Sequence, residues 1–295
     1  MRLLRRRRRV LVTRFDAATN RWVAVHPSGT VDRDELTVVT FNIWFDDYYA
    51  SQRYTAVADQ LGALAPDVIA LQEVTRPALD IFLAQQWVRD DYVCAAMVGN
   101  HVGNYGLLML SHIPLSGVSH VQLPSRQSRG FLAAELALSG TRHVICCLHL
   151  DSGKSSRRLR AWQLRRIFRM LKTTEDAVAL GDFNMRDAEN ERIAAPYRDV
   201  WPALRPDEDG FTEDTSINLT RLDARNKKRQ VRFDRVVVKG TRWRPASIEL
   251  LGTEPISSAL PRVFPSDHFG VMCRLVRVPR SRARGMVTDT GRPRR

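Results

Sequence analysis

The chain has 295 residues, 44% of them hydrophobic and 26% charged, which is apolar material for one large α/β domain or two small ones. No apolar run reaches the roughly 18 residues that span a membrane. The four cysteines, Cys94, Cys146, Cys147 and Cys273, show neither CxxC pairing nor histidines at zinc-ligand spacing, so a reducing intracellular setting is expected, cytoplasmic or, in a eukaryote, nuclear. The net charge of +14 sits at the ends: residues 1–14 hold seven arginines and no acid, and residues 277–295 hold seven arginines and one acid. Between them remain 32 basic and 31 acidic residues. Such ends are either solvated tails or attract polyanions without reading their sequence.

In chain order, residues 1–36 read as a basic appendage with a hairpin around 14–22. A β-branched run over 37–43 predicts a buried strand. Val57, Leu61 and Leu64 give 52–64 helical spacing, and 67–71 is a second apolar strand. A helix over 75–86 is marked by Thr75 as its N-cap and Pro77 in its first turn. Strands follow at 106–110, 131–138 and 143–148. The helix over 155–172 carries an apolar stripe of Leu159, Trp162, Ile167, Phe168 and Leu171, with Arg157, Arg158, Arg160, Arg165, Arg166 and Arg169 on the remainder. A buried strand at 177–180 precedes a loop-rich stretch over 187–228, and strands return at 230–238 and 269–276. Alternating strands and helices early, then strands late, predict one α/β domain of stacked sheets over 37–276, flanked by the appendage and a basic tail at 277–295.

The chemistry-bearing residues stand at strand ends. Asn42 closes the first strand, Glu73 the second and His149 another. Asp182 and Asn184 follow the strand at 177–180, Asp234 lies in Arg232-Phe-Asp-Arg235, and Asp267-His268 precede the last strand. Strands hold such tips rigidly, so side chains far apart in the chain can meet at one rim. Oxygen ligands without cysteine suit a hard cation such as Mg²⁺ or Mn²⁺.

Taken in order, strand-Asn42, Leu71-Gln-Glu73, His149, Gly181-Asp-Phe-Asn184, Arg232-Phe-Asp-Arg235 and Ser266-Asp-His268 resemble the endonuclease/exonuclease/phosphatase superfamily of metal-dependent phosphodiesterases. His149-Leu-Asp-Ser152 with Gln163-Leu164, Gly181-Asp-Phe-Asn-Met-Arg-Asp187, Asp199-Val-Trp201, Leu250-Leu-Gly252 and Phe264-Pro-Ser-Asp-His268 are most similar to its tyrosyl-DNA phosphodiesterase branch. The resemblance covers roughly 37–276. It implies a four-layer α/β sandwich: two stacked mixed β-sheets flanked by helices. Two positions depart from it. Asn42-Ile-Trp44 stands where the family commonly has Asn-x-Asp, with Asp46 or Asp47 as stand-ins for the absent carboxylate, and Glu213 stands where the tyrosyl-specific proteins place a tryptophan.

The resemblance also implies roles. Glu73, with Asn42 and with Asp267 through water, would hold Mg²⁺ or Mn²⁺ against a phosphate oxygen. Asp182 would orient and deprotonate the attacking water, Asn184 would fix that water or the phosphate, and His268, oriented by Asp234, would hydrogen-bond the phosphoryl oxygens. An alternative makes His268 the base. His149 would contact the phosphate from the other side. Ser152 and Lys154 fall on a loop at the scissile phosphate, and Trp201 on the wall of the DNA groove or as a loop anchor. Arg186 pairs with a phosphate or with Asp187, and Arg232 and Arg235 face away in a structural role. The implied substrate is DNA or RNA, including a 5′-tyrosyl adduct or a nucleic-acid end. The alternatives are a lipid or small phosphodiester, and a non-catalytic nucleic-acid-binding scaffold.

Overall fold

Apolar runs with β-branched residues form strands that are covered on both faces, so their side chains divide between two cores by simple alternation. The computed structural model describes residues 7–26, 29–99 and 102–278. Its strands are β1 (Arg7–Val10), β2 (Val12–Asp16), β3 (Arg21–Val25), β4 (Glu35–Asn42), β5 (Val68–Val74), β6 (Val93–Met97), β7 (Gly106–Ser111), β8 (Leu115–Gln122), β9 (Gly130–Leu138), β10 (Thr141–His149), β11 (Asp176–Asp182), β12 (Tyr197–Asp199), β13 (Glu213–Asp214), β14 (Gln230–Val231), β15 (Asp234–Lys239), β16 (Trp243–Leu251) and β17 (Gly270–Arg277). The helices are α1 (Ala50–Leu64), α2 (Arg76–Ala84), α3 (Gln86–Asp91), α4 (Arg157–Met170), α5 (Val200–Leu204) and α6 (Thr220–Arg225).

One sheet runs β1-β8-β9-β10-β11-β15-β12 and the other β16-β17-β4-β5-β7-β6-β2-β3. Val38, Val68, Ala70, Ile145, Cys147, Val178 and Leu180 face each other between the sheets. Val39, Phe41, Ile69 and Leu71, one residue out of phase, pack under α1 and α2. Val144, Cys146, Ala177 and Ala179 pack under α4. The result is the expected four-layer sandwich. The α2 start is as expected: Thr75 Oγ1 accepts the Ala78 N–H at 3.3 Å and Pro77 lies in the first turn. The helix stops at Ala84, and the separate turn α3 follows it.

The amino-terminal segment is not an appendage in the described residues. β1 pairs with β8 from Arg7↔Val121 to Val10↔Val118, and β2 pairs with β6, so the segment extends both sheets and buries Val10 and Val12. The expected hairpin is β2–β3, closed by Asp16, which accepts from the Ala18 N–H and the Thr19 hydroxyl, with Asn20 at φ 53. At the other end Arg277 belongs to β17 and pairs with Asp32 and Asp34. Residues 1–6 and 279–295, which carry most of the excess charge, lie outside the described residues.

A second correction concerns α4. Of the expected stripe, Ile167, Phe168 and Leu171 pack in the core with Leu164, and Ala161 is also buried, but Trp162 is 42% exposed. The four cysteines are buried and free, and among the described residues no helix is long and apolar enough to cross a membrane.

Sheet register places the chemistry. β4 and β5 run parallel with Asn42 opposite Gln72, β10 and β11 run parallel with His149 opposite Asp182, and Asp182 lies opposite Asp234 of β15. The carboxyl ends of four strands and the start of β15 therefore share one rim.

Candidate active site

Asp182 is the centre of the rim. Its Oδ1 accepts the Asn184 N–H at 2.7 Å, and its Oδ2 accepts from Asn184 Nδ2 at 2.9 Å and Asn42 Nδ2 at 3.2 Å. Burial alone would raise this carboxyl, but the His149 and His268 rings and the Asn184 amide hold it well below the usual carboxylate range. Asn184 is pinned by a further bond from its Nδ2 to the Leu150 carbonyl and sits at φ 50, a left-handed conformation that Asn tolerates best among non-glycine residues.

The two histidines take opposite protonation states. His268 Nδ1–H donates to Asp234 Oδ2 at 2.7 Å. Burial works against its charge, yet Asp234, Asp267 and Asp182 raise it well above its ordinary value, so it stays an imidazolium with Nε2–H free to donate. His149 accepts at Nδ1 from Arg129 Nη1 at 3.0 Å, which fixes the proton on Nε2. Burial and Arg129 push His149 down to about 4, so it is neutral. Its Nε2 stands 3.2 Å from Asp182 Oδ2 and 3.8 Å from Glu73 Oε1, off the hydrogen-bond axis.

Glu73 reaches the rim through a fault in the sheet. Ile69 and Leu71 face the helices, so alternation would send Glu73 there too. Instead the β5–β7 register slips between Gln72 and Val74, Glu73 takes φ 60, and its Oε2 accepts the Phe45 N–H at 3.1 Å. Burial and the Asp267 charge push its carboxyl up to about 7, against the opposing pull of Arg129.

A divalent cation fits here, because this buried carboxylate has one oxygen without a hydrogen bond and too little positive charge around it. The fit is narrower than the sequence suggests. The Asp267 carboxylate is engaged by Arg221 Nη1, and Asn42 Oδ1 accepts the Trp44 N–H at 3.1 Å. Among the described residues no three His, Cys, Asp or Glu side chains are grouped to hold a metal ion. Glu73 is therefore the one direct ligand the geometry favours, in keeping with Mg²⁺-type sites that use one or two carboxylates, waters and substrate phosphate.

The expected substrate contacts divide. Ser152 and the exposed Lys154 stand on the loop after β10, where Ser152 Oγ accepts from Gln127 Nε2 at 2.8 Å. Arg186 lies 5.5 Å over the Phe233 ring, and Phe233 packs beside His268, so Arg186 stands at the site edge and makes no ion pair with Asp187 among the described residues. Trp201 is 5% exposed, packs with the core between the sheets, and donates through Nε1 to the Glu208 carbonyl. It anchors the loop at Glu208, and the small part of its ring left exposed lines a cleft with Arg205, Gly210 and Phe211. Arg232 and Arg235 both pair with Asp199, away from the site, as expected.

Of the two stand-ins for the absent carboxylate, Asp46 is taken up by an arginine and Asp47 is exposed. Trp44 is buried at φ 57, and Asp46 pairs with Arg225. Arg53 stabilises this loop: it is fully buried and donates to the carbonyls of Ile43, Trp44, Asp46, Tyr48 and Pro265. Glu213, at the position of the missing tryptophan, is buried between Arg221 and Arg229. Sequence reasoning missed Arg129, the Tyr105 whose hydroxyl accepts from it at 3.0 Å, Arg53 of α1 and Arg221 of α6, because a lone Arg or Tyr outside any motif carries no signal of the partner it meets.

Two stacked sheets with this set of strand tips define a class, and the comparisons agree with it. Residues 39–268 match the Endonuclease/Exonuclease/phosphatase family, and the chain belongs to that family of divalent-metal-dependent enzymes. Among similar proteins, tyrosyl-DNA phosphodiesterase 2 of Xenopus laevis is 31% identical over 257 residues, covering 82% of this chain and 67% of that protein. The Homo sapiens protein of the same name is 29% identical over 256 residues, covering 81% and 68%. A crystal structure of D. rerio TDP2 complexed with single strand DNA product superposes with a TM-score of 0.72 at 23% identity, over 82% of this chain and 99% of that one. A structure of TDP2 from C. elegans gives 0.69 at 25%, over 82% and 75%.

Proposed function

We propose that the protein is a Mg²⁺-dependent phosphodiesterase that hydrolyses the bond joining a tyrosyl group to the 5′ end of DNA. The observation that carries this reading is the convergence on one rim of Asp182, held by three hydrogen bonds, of His268, bonded through Nδ1 to Asp234, and of Glu73, whose Oε2 alone is hydrogen-bonded. The substrate class follows from the identity to proteins named tyrosyl-DNA phosphodiesterase 2 over four-fifths of the chain.

Phosphoryl transfer needs positioning and charge stabilisation more than covalent chemistry. Asp182 accepts a hydrogen bond from the attacking water and takes its proton, while Asn184 and Asn42 keep the carboxylate from rotating. His268 Nε2–H donates to a phosphoryl oxygen as negative charge grows there, and Asp234 keeps the ring charged and aimed. Its protonated state argues against His268 as the base. The neutral His149, its tautomer set by Arg129, donates from Nε2 beside the phosphate. Glu73, with Asn42 and Asp267 nearby, would hold the divalent cation, which supplies charge neutralisation on the phosphoryl oxygen and a more acidic water. Arg186, Ser152 and Lys154 stand where the substrate phosphates pass.

The test is an end-labelled panel with Mg²⁺, Mn²⁺ or EDTA: a 5′-phosphotyrosyl oligonucleotide, a plain oligonucleotide and sphingomyelin. Release of tyrosine with Mg²⁺ and none with EDTA is expected. Asp182→Asn and His268→Ala are each expected to lower turnover by about 10²–10⁴ with unchanged thermal unfolding. Preferential cleavage of sphingomyelin, or near-normal turnover by both variants, would falsify the reading.

A further inference from the structure

One side of α4 is not used by the core. Ala161, Leu164 and Ile167 seat the helix on the seven-stranded sheet, whereas Trp162, Arg165, Arg166 and Arg169 recur at i, i+3, i+4 and i+7 and form a single outward stripe. An indole 42% exposed in the middle of a helix is an unusual use of so large an apolar side chain. None of these three arginines is in an ion pair among the described residues, and the one hydrogen bond from them runs from Arg165 Nε to the Ala161 carbonyl. β1 brings Arg7 to the same place, its Nε donating to Ser119 Oγ at 3.0 Å. The carboxylate facing it, Glu135, stands 3.8 Å from Arg7 and is already held by Arg142. Together these residues rim a cleft of about 640 Å³ over Val121, Phe131 and Met170, within the range of sites that hold small ligands.

Four guanidinium groups around an exposed indole match a polymer that carries both phosphates and flat rings. An acidic peptide would use the charges and leave the indole without a partner. The helix is also tied to the catalytic rim at its start. Arg160 Nη1 donates to the Asp151 and Gly153 carbonyls at 2.8 and 2.7 Å, and Gln163 holds Asp151 at both its N–H and its carboxylate. A helix of 14 residues is about 21 Å long, so a strand leaving the rim along α4 meets the stripe within that length.

We propose that this cleft binds the single-stranded part of the nucleic acid whose end is processed at the rim. Phosphates lie on Arg7, Arg165, Arg166 and Arg169, and one base stacks on Trp162. The choice of nucleic acid rests on the function proposed above, but binding in the cleft requires no turnover. The test uses the full chain, a fluorescent 20-nucleotide DNA strand without adduct, EDTA to prevent cleavage, and anisotropy across a salt series. Combined Arg165→Ala, Arg166→Ala and Arg169→Ala is expected to weaken binding about tenfold or more at low salt and to flatten the salt slope by about 2, since each phosphate neutralised on a single strand contributes about 0.7. The matching triple change to Lys is expected to keep the slope. Trp162→Ala is expected to weaken binding about fivefold with the slope unchanged. All variants are expected to hydrolyse a p-nitrophenyl ester of thymidine 5′-phosphate at the wild-type rate. Unchanged affinity and slope in the triple alanine variant overturns the proposal, and so does an unchanged affinity in Trp162→Ala. A wild-type chain that binds the strand through these arginines yet cleaves no phosphodiester supports the cleft while removing the proposed activity.

Discussion

A carboxylate that accepts three hydrogen bonds is a weak base but a constant acceptor, and Asp182 is one of these. Burial is the largest influence on His268, its partner across the rim, and acts against the charge; Asp234, which both faces the ring and accepts from its Nδ1–H, is the strongest of the three carboxylates that restore it. The sign of the pH dependence follows. A raised histidine pKa keeps the imidazolium through neutrality, and activity falls as pH rises through that raised value. Asp234→Asn removes the support and is expected to move the alkaline limb of the kcat profile to lower pH, by about one unit or more. An alkaline limb unmoved by Asp234→Asn would show that His268 takes its charge from elsewhere. The residues of this set were legible in the sequence as polar breaks at the ends of apolar runs. Arg129 was not, although it decides which nitrogen of His149 carries the proton, because nothing in its neighbours separates it from any other loop arginine.

At the scale of the element, the strands that carry the site are held closely. Gly181 lies at φ +145, and a Cβ there would stand 1.9 Å from the Leu148 carbonyl oxygen, so the parallel approach of β10 and β11 needs a residue without a side chain. Gly181→Ala is expected to cost about 2–4 kcal/mol, from strain and displaced backbone together, and to lower Tm by about 5 °C or more in thermal unfolding. A Tm within about 1 °C of wild type would show that the two strands can separate at little cost. Strands covered on both faces, such as 68–74 and 176–182, announce themselves as apolar runs. The slip that turns Glu73 from the helix side to the rim does not, since Leu71-Gln-Glu-Val74 reads the same with or without it. β8 was missed for a related reason: Leu115–Gln122 alternates with polar residues and glycine, and the pairing that makes it a strand comes from β1 and β9.

For the whole molecule, buried neutral histidines set the acid limit. Burial pushes His120 down to about 4, helped by Arg8, and His149 to about 4. Below pH 6.5 the unfolded chain binds protons that the fold refuses, so stability is lost as pH falls from about 6.5 toward 4. His120→Asn is expected to make the decline between pH 7 and 5 shallower, by about 1–2 kcal/mol at the acid end in urea unfolding. Parallel urea curves for the two proteins across that range would rule His120 out as a contributor.

By itself the sequence determined the class of fold and the order of the polar residues that meet at the rim, because two-faced burial leaves apolar runs and the rim residues stand as polar breaks at their ends. Only the tertiary structure decided which oxygens stay available to a cation, that Trp201 is core and Trp162 surface, and that residues 7–25 are sheet and not appendage. Those outcomes depend on which neighbour, distant in the chain, occupies each face, and no local pattern of residues records that neighbour.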